Sequence, residues 1–96
     1  MRRFKLGQRV NVRAVIPRPH EDPQPITPAS GRAYRPLSRD DSAWIRLDAR
    51  LDDALHPFPA DDESGRGLDV LAWPEDCDEI KPVTYRRSLR RETGAR

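Results

Sequence analysis

Cysteine occurs once in 96 residues, at Cys77, so the chain can close no internal disulfide and holds no Cys-x-x-Cys pair for redox or zinc chemistry. No apolar stretch approaches the length needed to cross a bilayer. Met1-Arg2-Arg3-Phe4-Lys5 has the charge of a secretory leader, but Gln8, Arg9, Asn11 and Arg13 interrupt the apolar run that must follow; the expectation is a cytoplasmic protein without membrane contact. A glycine-rich phosphate loop is missing, and none of Ser30, Ser38, Ser42, Ser64 or Ser88 stands in a nucleophile-elbow setting. Lysine is scarce too. Sixteen of the eighteen basic residues are arginine, a bias that a GC-rich genome produces without any call on guanidinium chemistry.

Abundant instead are charge, 35 % of residues, and proline, with ten. Apolar residues are also 35 %, enough for one small core with much solvated chain around it. The charge is segregated. Residues 1–20 carry six basic and no acidic side chains, residues 21–40 three of each, residues 41–79 three basic against twelve acidic, and residues 80–96 six against one. Basic ends and an acidic middle can screen each other, or present a basic face to a polyanion.

Val10, Val12, Ala14 and Ile16 alternate with Arg9, Asn11, Arg13 and Val15, the period of a half-buried strand within residues 4–16, and Gly7 suits a turn that lets Phe4 and Leu6 join the same core. Six prolines between Pro17 and Pro36 remove ladder donors and predict a long, extended loop over residues 17–41, with Tyr34 and Leu37 returning it to the core. From Ser42 the alternation of Ala43, Ile45, Leu47, Ala49 and Leu51 favours a strand to about Leu51, although Trp44, Leu47, Leu51 and Leu55 would also align on a helix behind Asp41. Asp61 to Gly67 reads as a polar tip. Leu68, Val70 and Ala72 alternate with Asp69, Leu71 and Trp73 in a further strand that Pro74 ends. A short helical turn within 75–79 then leads to Ile80, Pro82 and Val83. Residues 1–83 thus form one mainly β domain, and residues 84–96 a basic C-terminal tail.

Tyr34-Arg35-Pro36, Ala43-Trp44-Ile45, Val70-Leu71, Pro74-Glu75-Asp76 and Ile80-Lys81-Pro82-Val83 together resemble an SH3-like small barrel, partly open, and are similar to small uncharacterised proteins of actinobacteria and their phages. The resemblance spans roughly residues 10–83, with extra length at 17–31 and 55–66. It implies an accessory role in a phage or mobile element of a bacterial host and brings no catalytic residues.

Candidate sites are few. His20, Glu21 and Asp22 cannot all face one ion, and Asp61, Asp62 and Glu63 lack the ligand spacing of a calcium loop, so no metal or cofactor is expected. Asp76 and Asp78 disfavour a Cys77 thiolate. Pro25-Ile26-Thr27-Pro28 has polyproline-ligand spacing without a flanking basic residue and reads as plain loop. On the strand reading Trp44 and Trp73 point away from the Ile45, Leu47, Val70 and Ala72 face; with Tyr34 they either line a peptide groove or base-stacking platform, or belong to the core. Arg86, Arg87, Arg90 and Arg91, with the basic N-terminal residues, suit either phosphates or an acidic protein surface. The expected function is that of a non-enzymatic interaction protein using the long loop and basic tail on a protein partner. Nucleic-acid binding through basic termini and an aromatic face is the alternative, and an open strand edge is compatible with a dimer.

Overall fold

The computed structural model describes residues 3–18, 21–37, 40–52 and 56–81. These form five strands, β1 (Arg9–Val15), β2 (Gln24–Pro36), β3 (Ala43–Leu47), β4 (Asp69–Ala72) and β5 (Cys77–Glu79), in one open antiparallel sheet of order β4-β3-β2-β1-β5. Among the described residues there is no α-helix, and none is long and apolar enough to cross a membrane. The Ile16 N–H donates to the Leu71 carbonyl at 2.9 Å, bringing the end of β1 against β4 although β2 and β3 lie between them in the sheet order.

The expected loop over 17–41 is in large part the longest strand. Proline permits this because of where it falls: β3 joins β2 only from Gly31 onward, so Pro25 and Pro28 lie where β2 has β1 as its one neighbour, and Pro36 is its last residue. At Gly31 both neighbours close in. A Cβ there would stand 2.6 Å from the Arg46 carbonyl oxygen and 2.9 Å from the Leu47 Cα, so only hydrogen fits between β2 and β3.

Strict alternation in the first strand also fails, at a defined place. The β1–β2 register shifts between Val12 and Ala14, so Val10, Val12 and Val15 all reach the aliphatic core while Ile16 turns to the opposite face. Gly7, at φ +80°, makes the expected turn: its N–H donates to the Ala33 carbonyl, and Phe4 is buried. Leu6 does not join the core and remains 75 % exposed. The strand expected to run to Leu51 stops at Leu47, and the last strand comes earlier than expected, straight after a 3-10 turn at Pro74–Asp76. Its Ile80 N–H closes on the Arg9 carbonyl; Pro82, Val83 and the tail 84–96 lie outside the described residues.

The main core sits on one face: Val10, Val12, Val15, Ala33, Ile45 and Val70 are fully removed from solvent and pack with Phe4, Leu47, Ala43, Ala72 and Cys77. The other face of β3 and β4 carries a second, smaller cluster around Ile16, Trp44 and Leu71.

Candidate functional site

Alternation in β3 and β4 sends Ile45, Leu47, Val70 and Ala72 inward and leaves Trp44, Arg46, Asp69 and Leu71 on the opposite face, where the pairing Trp44 with Leu71 and Arg46 with Asp69 sets them side by side. Trp73 continues this row past the end of β4. Ile16, Tyr34, Leu37 and Phe58 complete a second apolar cluster there. Trp44 is buried within it, held edge-on by Phe58 with ring centroids 5.4 Å apart at 71° and covered by the Arg35 guanidinium 5.7 Å from its centroid. Trp73 is half-buried.

These side chains floor a groove of about 610 Å³, lined by Ile16, Leu37, Trp44, Phe58, Leu71 and Trp73 with Ser42, Arg35 and three carboxylates, Glu21, Asp40 and Asp61. Arg35 is engaged with Glu63 at 2.9 Å, whereas Asp40 and Asp61 have no ion-pair partner among the described residues. Asp40 accepts hydrogen bonds from the Ser42 N–H and hydroxyl, which fixes its carboxylate at the rim. A smaller depression of about 330 Å³ shares Leu37, Asp40 and Ser42 and adds Asp41 and Arg3. The groove is therefore apolar in its floor and negative along its edge.

Of the residues singled out from sequence, Trp44 and Trp73 are brought together here. Tyr34 packs into the same cluster but does not line the groove: its ring lies under the Arg46 guanidinium at 4.6 Å and its hydroxyl is buried without a hydrogen-bond partner. Burial, and the nearby Asp69 carboxylate, push the Tyr34 phenol up. Arg86, Arg87, Arg90 and Arg91 lie outside the described residues, as does His20.

Sequence reasoning missed Phe58 and the three rim carboxylates. Phe58, set between Pro57 and Pro59, was the available signal, since prolines stiffen a loop and can aim its aromatic side chain back at the sheet.

The polar tip is also more ordered than a solvated turn. Asp62 accepts from the Ser64 N–H at 3.1 Å, the Ser64 hydroxyl at 2.5 Å and the Gly67 N–H at 2.5 Å. Burial opposes its charge, but these donors prevail and hold the carboxyl down at about 2. Fully buried Asp69 takes a two-point contact from Arg46 at 2.9 and 3.2 Å and the Ser64 N–H at 3.1 Å, tying the tip to β3. His56 is buried beside it, Nε2 3.9 Å from Asp62, with neither ring nitrogen hydrogen-bonded.

Other candidates are accounted for. Cys77 is buried, and desolvation first, then the Asp76 and Asp78 charges, push its thiol up to about 12. No cluster of three metal-ligating side chains occurs among the described residues. Arg9 forks onto Asp48 at 2.7 and 2.6 Å, and Arg13 reaches Asp78 at 3.0 Å and the Glu75 carbonyl at 2.6 Å, so these two N-terminal arginines serve the chain's own acidic groups. Compared with known proteins, the chain matches no family model, no curated protein and no solved structure, and the resemblance to actinobacterial and phage proteins gains no support from them.

Proposed function

We propose that this chain is a non-enzymatic interaction module, a partly open SH3-like barrel that receives an extended segment of a partner protein on its aromatic face. The observation that carries the reading is the groove over Trp44, Leu71 and Trp73, about 610 Å³ of apolar floor with Glu21, Asp40 and Asp61 at its edge. Aromatic anchors inside a polar rim are the usual anatomy of a recognition surface. The barrel reading draws on the strand order, the 3-10 turn between β4 and β5 and the Ile16–Leu71 hydrogen bond across the sheet. A cytoplasmic setting in a bacterial host or its phage rests on the sequence resemblance.

Compared with the expectation drawn from sequence, the partner surface moves from the proline-rich segment to the groove, because most of that segment is committed to β2. The nucleic-acid alternative is weaker at this face: three carboxylates would repel phosphates, and Arg35, Arg9 and Arg13 are already paired.

Selection of displayed extended peptides on the full chain carrying Arg86→Glu, Arg87→Glu, Arg90→Glu and Arg91→Glu, with counter-selection on the same protein also bearing Trp73→Ala, tests the proposal. Enrichment of basic sequences that Trp73→Ala releases supports it. No enrichment, or enrichment that Trp73→Ala retains, overturns it. Duplex or single-stranded DNA binding by the wild-type chain, weakening steeply between about 50 and about 200 mM salt and lost in Trp73→Ala, would put the nucleic-acid reading in its place.

A further inference from the structure

Among the described residues Asp40 and Asp61 at the groove's rim have no ion-pair partner and Glu21 has only Arg18, at 3.9 Å, while the same chain carries its densest positive charge just beyond β5. Residues 82–96 contain Arg86, Arg87, Arg90, Arg91 and Arg96 against a single Glu92, with Tyr85 and Leu89 between them. We propose, resting on the reading of the groove as a docking surface, that residues 82–96 dock in cis across the aromatic groove, with arginines against Glu21, Asp40 and Asp61.

Three observations favour this occupant. The first is charge: the groove edge holds three carboxylates, and its one arginine, Arg35, is spent on Glu63. The second is reach. The chain leaves the sheet where the Ile80 N–H meets the Arg9 carbonyl, at the opposite end of β1 from Ile16 in the groove. Seven strand residues separate those points, about 23 Å at about 3.3 Å per residue. An extended chain of ten residues, 82–91, spans up to about 33–36 Å, so Arg90 and Arg91 fall within range of that end of the groove. The third is composition, since Tyr85 and Leu89 interrupt the arginines with apolar side chains suited to a floor of Leu71 and Trp73. Tethering supplies an effective concentration on the order of millimolar, so even weak contacts would keep the groove occupied until a partner competes.

The test uses the full chain with Ser88→Cys, carrying a nitroxide spin label. Cys77, buried and with its thiol pushed up to about 12, stays unmodified. The expected result is several-fold loss of the Trp44 and Trp73 indole N–H signals, restored both at about 1 M salt and by the combined Glu21→Gln, Asp40→Asn, Asp61→Asn substitution. Unchanged indole signals, or broadening that survives both treatments, would overturn the proposal. So would broadening carried over to an isotope-labelled, nitroxide-free copy mixed with an unlabelled nitroxide-bearing copy, which would place the segment on a second molecule. Failure here leaves the peptide selection on the charge-reversed chain untouched, so failure of the cis docking is distinguishable from failure of the groove reading on which it rests.

Discussion

The two faces of β3 and β4 are built from alternating residues of the same nine positions, yet they are finished differently. On the inner face, Ile45, Leu47, Val70 and Ala72 meet β1 and β2 across a sealed aliphatic core. On the outer face, Phe58 and Arg35 fold over Trp44, and beside it the cover stops and a groove begins. Aliphatic residues without polar atoms are spent where nothing should bind. Large rings with polar neighbours are placed where the surface remains open. One face is closed as a core; the other is the face proposed to receive a partner.

This contrast can be broken most severely from the inside. Ile45→Ala leaves a cavity in the sealed core and should cost about 2–5 kcal/mol, read from denaturant unfolding, with no selective effect on peptide capture beyond that of unfolding. Gly31→Ala comes next: its Cβ meets backbone of β3, not a movable side chain, so β2 and β3 must part, for about 1–3 kcal/mol in the same measurement. Trp73→Ala sharpens the comparison from the other side. Half-buried, it should cost about 1–2 kcal/mol of stability while abolishing capture of groove-selected peptides, a split that a merely structural tryptophan would not give.

The smallest effect concerns acid. Arg9 first, then the Ser30 hydroxyl, hold Asp48 at about 2, below its ordinary 3.8. A carboxyl lowered on folding contributes stability that is full above about pH 4 and is lost as pH falls through about 2. Because the pair is half-exposed, the contribution should be under about 1 kcal/mol. Unfolding free energy followed from pH 5 to pH 1.5 should therefore fall slightly less in Arg9→Ala than in wild type, the remainder belonging to carboxyls such as Asp62.

Much of the sheet was legible because its signals are local. The alternation in Ala43 to Leu47 and Leu68 to Trp73, the turn at Gly7 and the stop at Pro74 each require only neighbouring residues to be read. What escaped depends on pairing. Whether Pro25 and Pro28 break a strand depends on which side of β2 lacks a neighbour, and that is settled by where β3 ends. The shift at Val12 to Ala14 answers two cores competing for Val15 and Ile16, a tertiary demand with no local mark. The aromatic row was visible at Trp44 and Trp73, but the acidic rim comes from Glu21, Asp40 and Asp61, three positions joined only by the fold.

The pairing of β1 with β5, Val12 opposite Cys77, has a consequence for how the chain is made. Strand β1 emerges from the ribosome first and gains its second neighbour last, after every other strand is out. Until then one of its edges offers unpaired amides, and closing so wide a loop is slow compared with hairpin formation. Nascent chains stalled before Cys77 should thus hold β1, β2 and β3 in partial order only, dependent on chaperones to guard an edge that three short residues later seal.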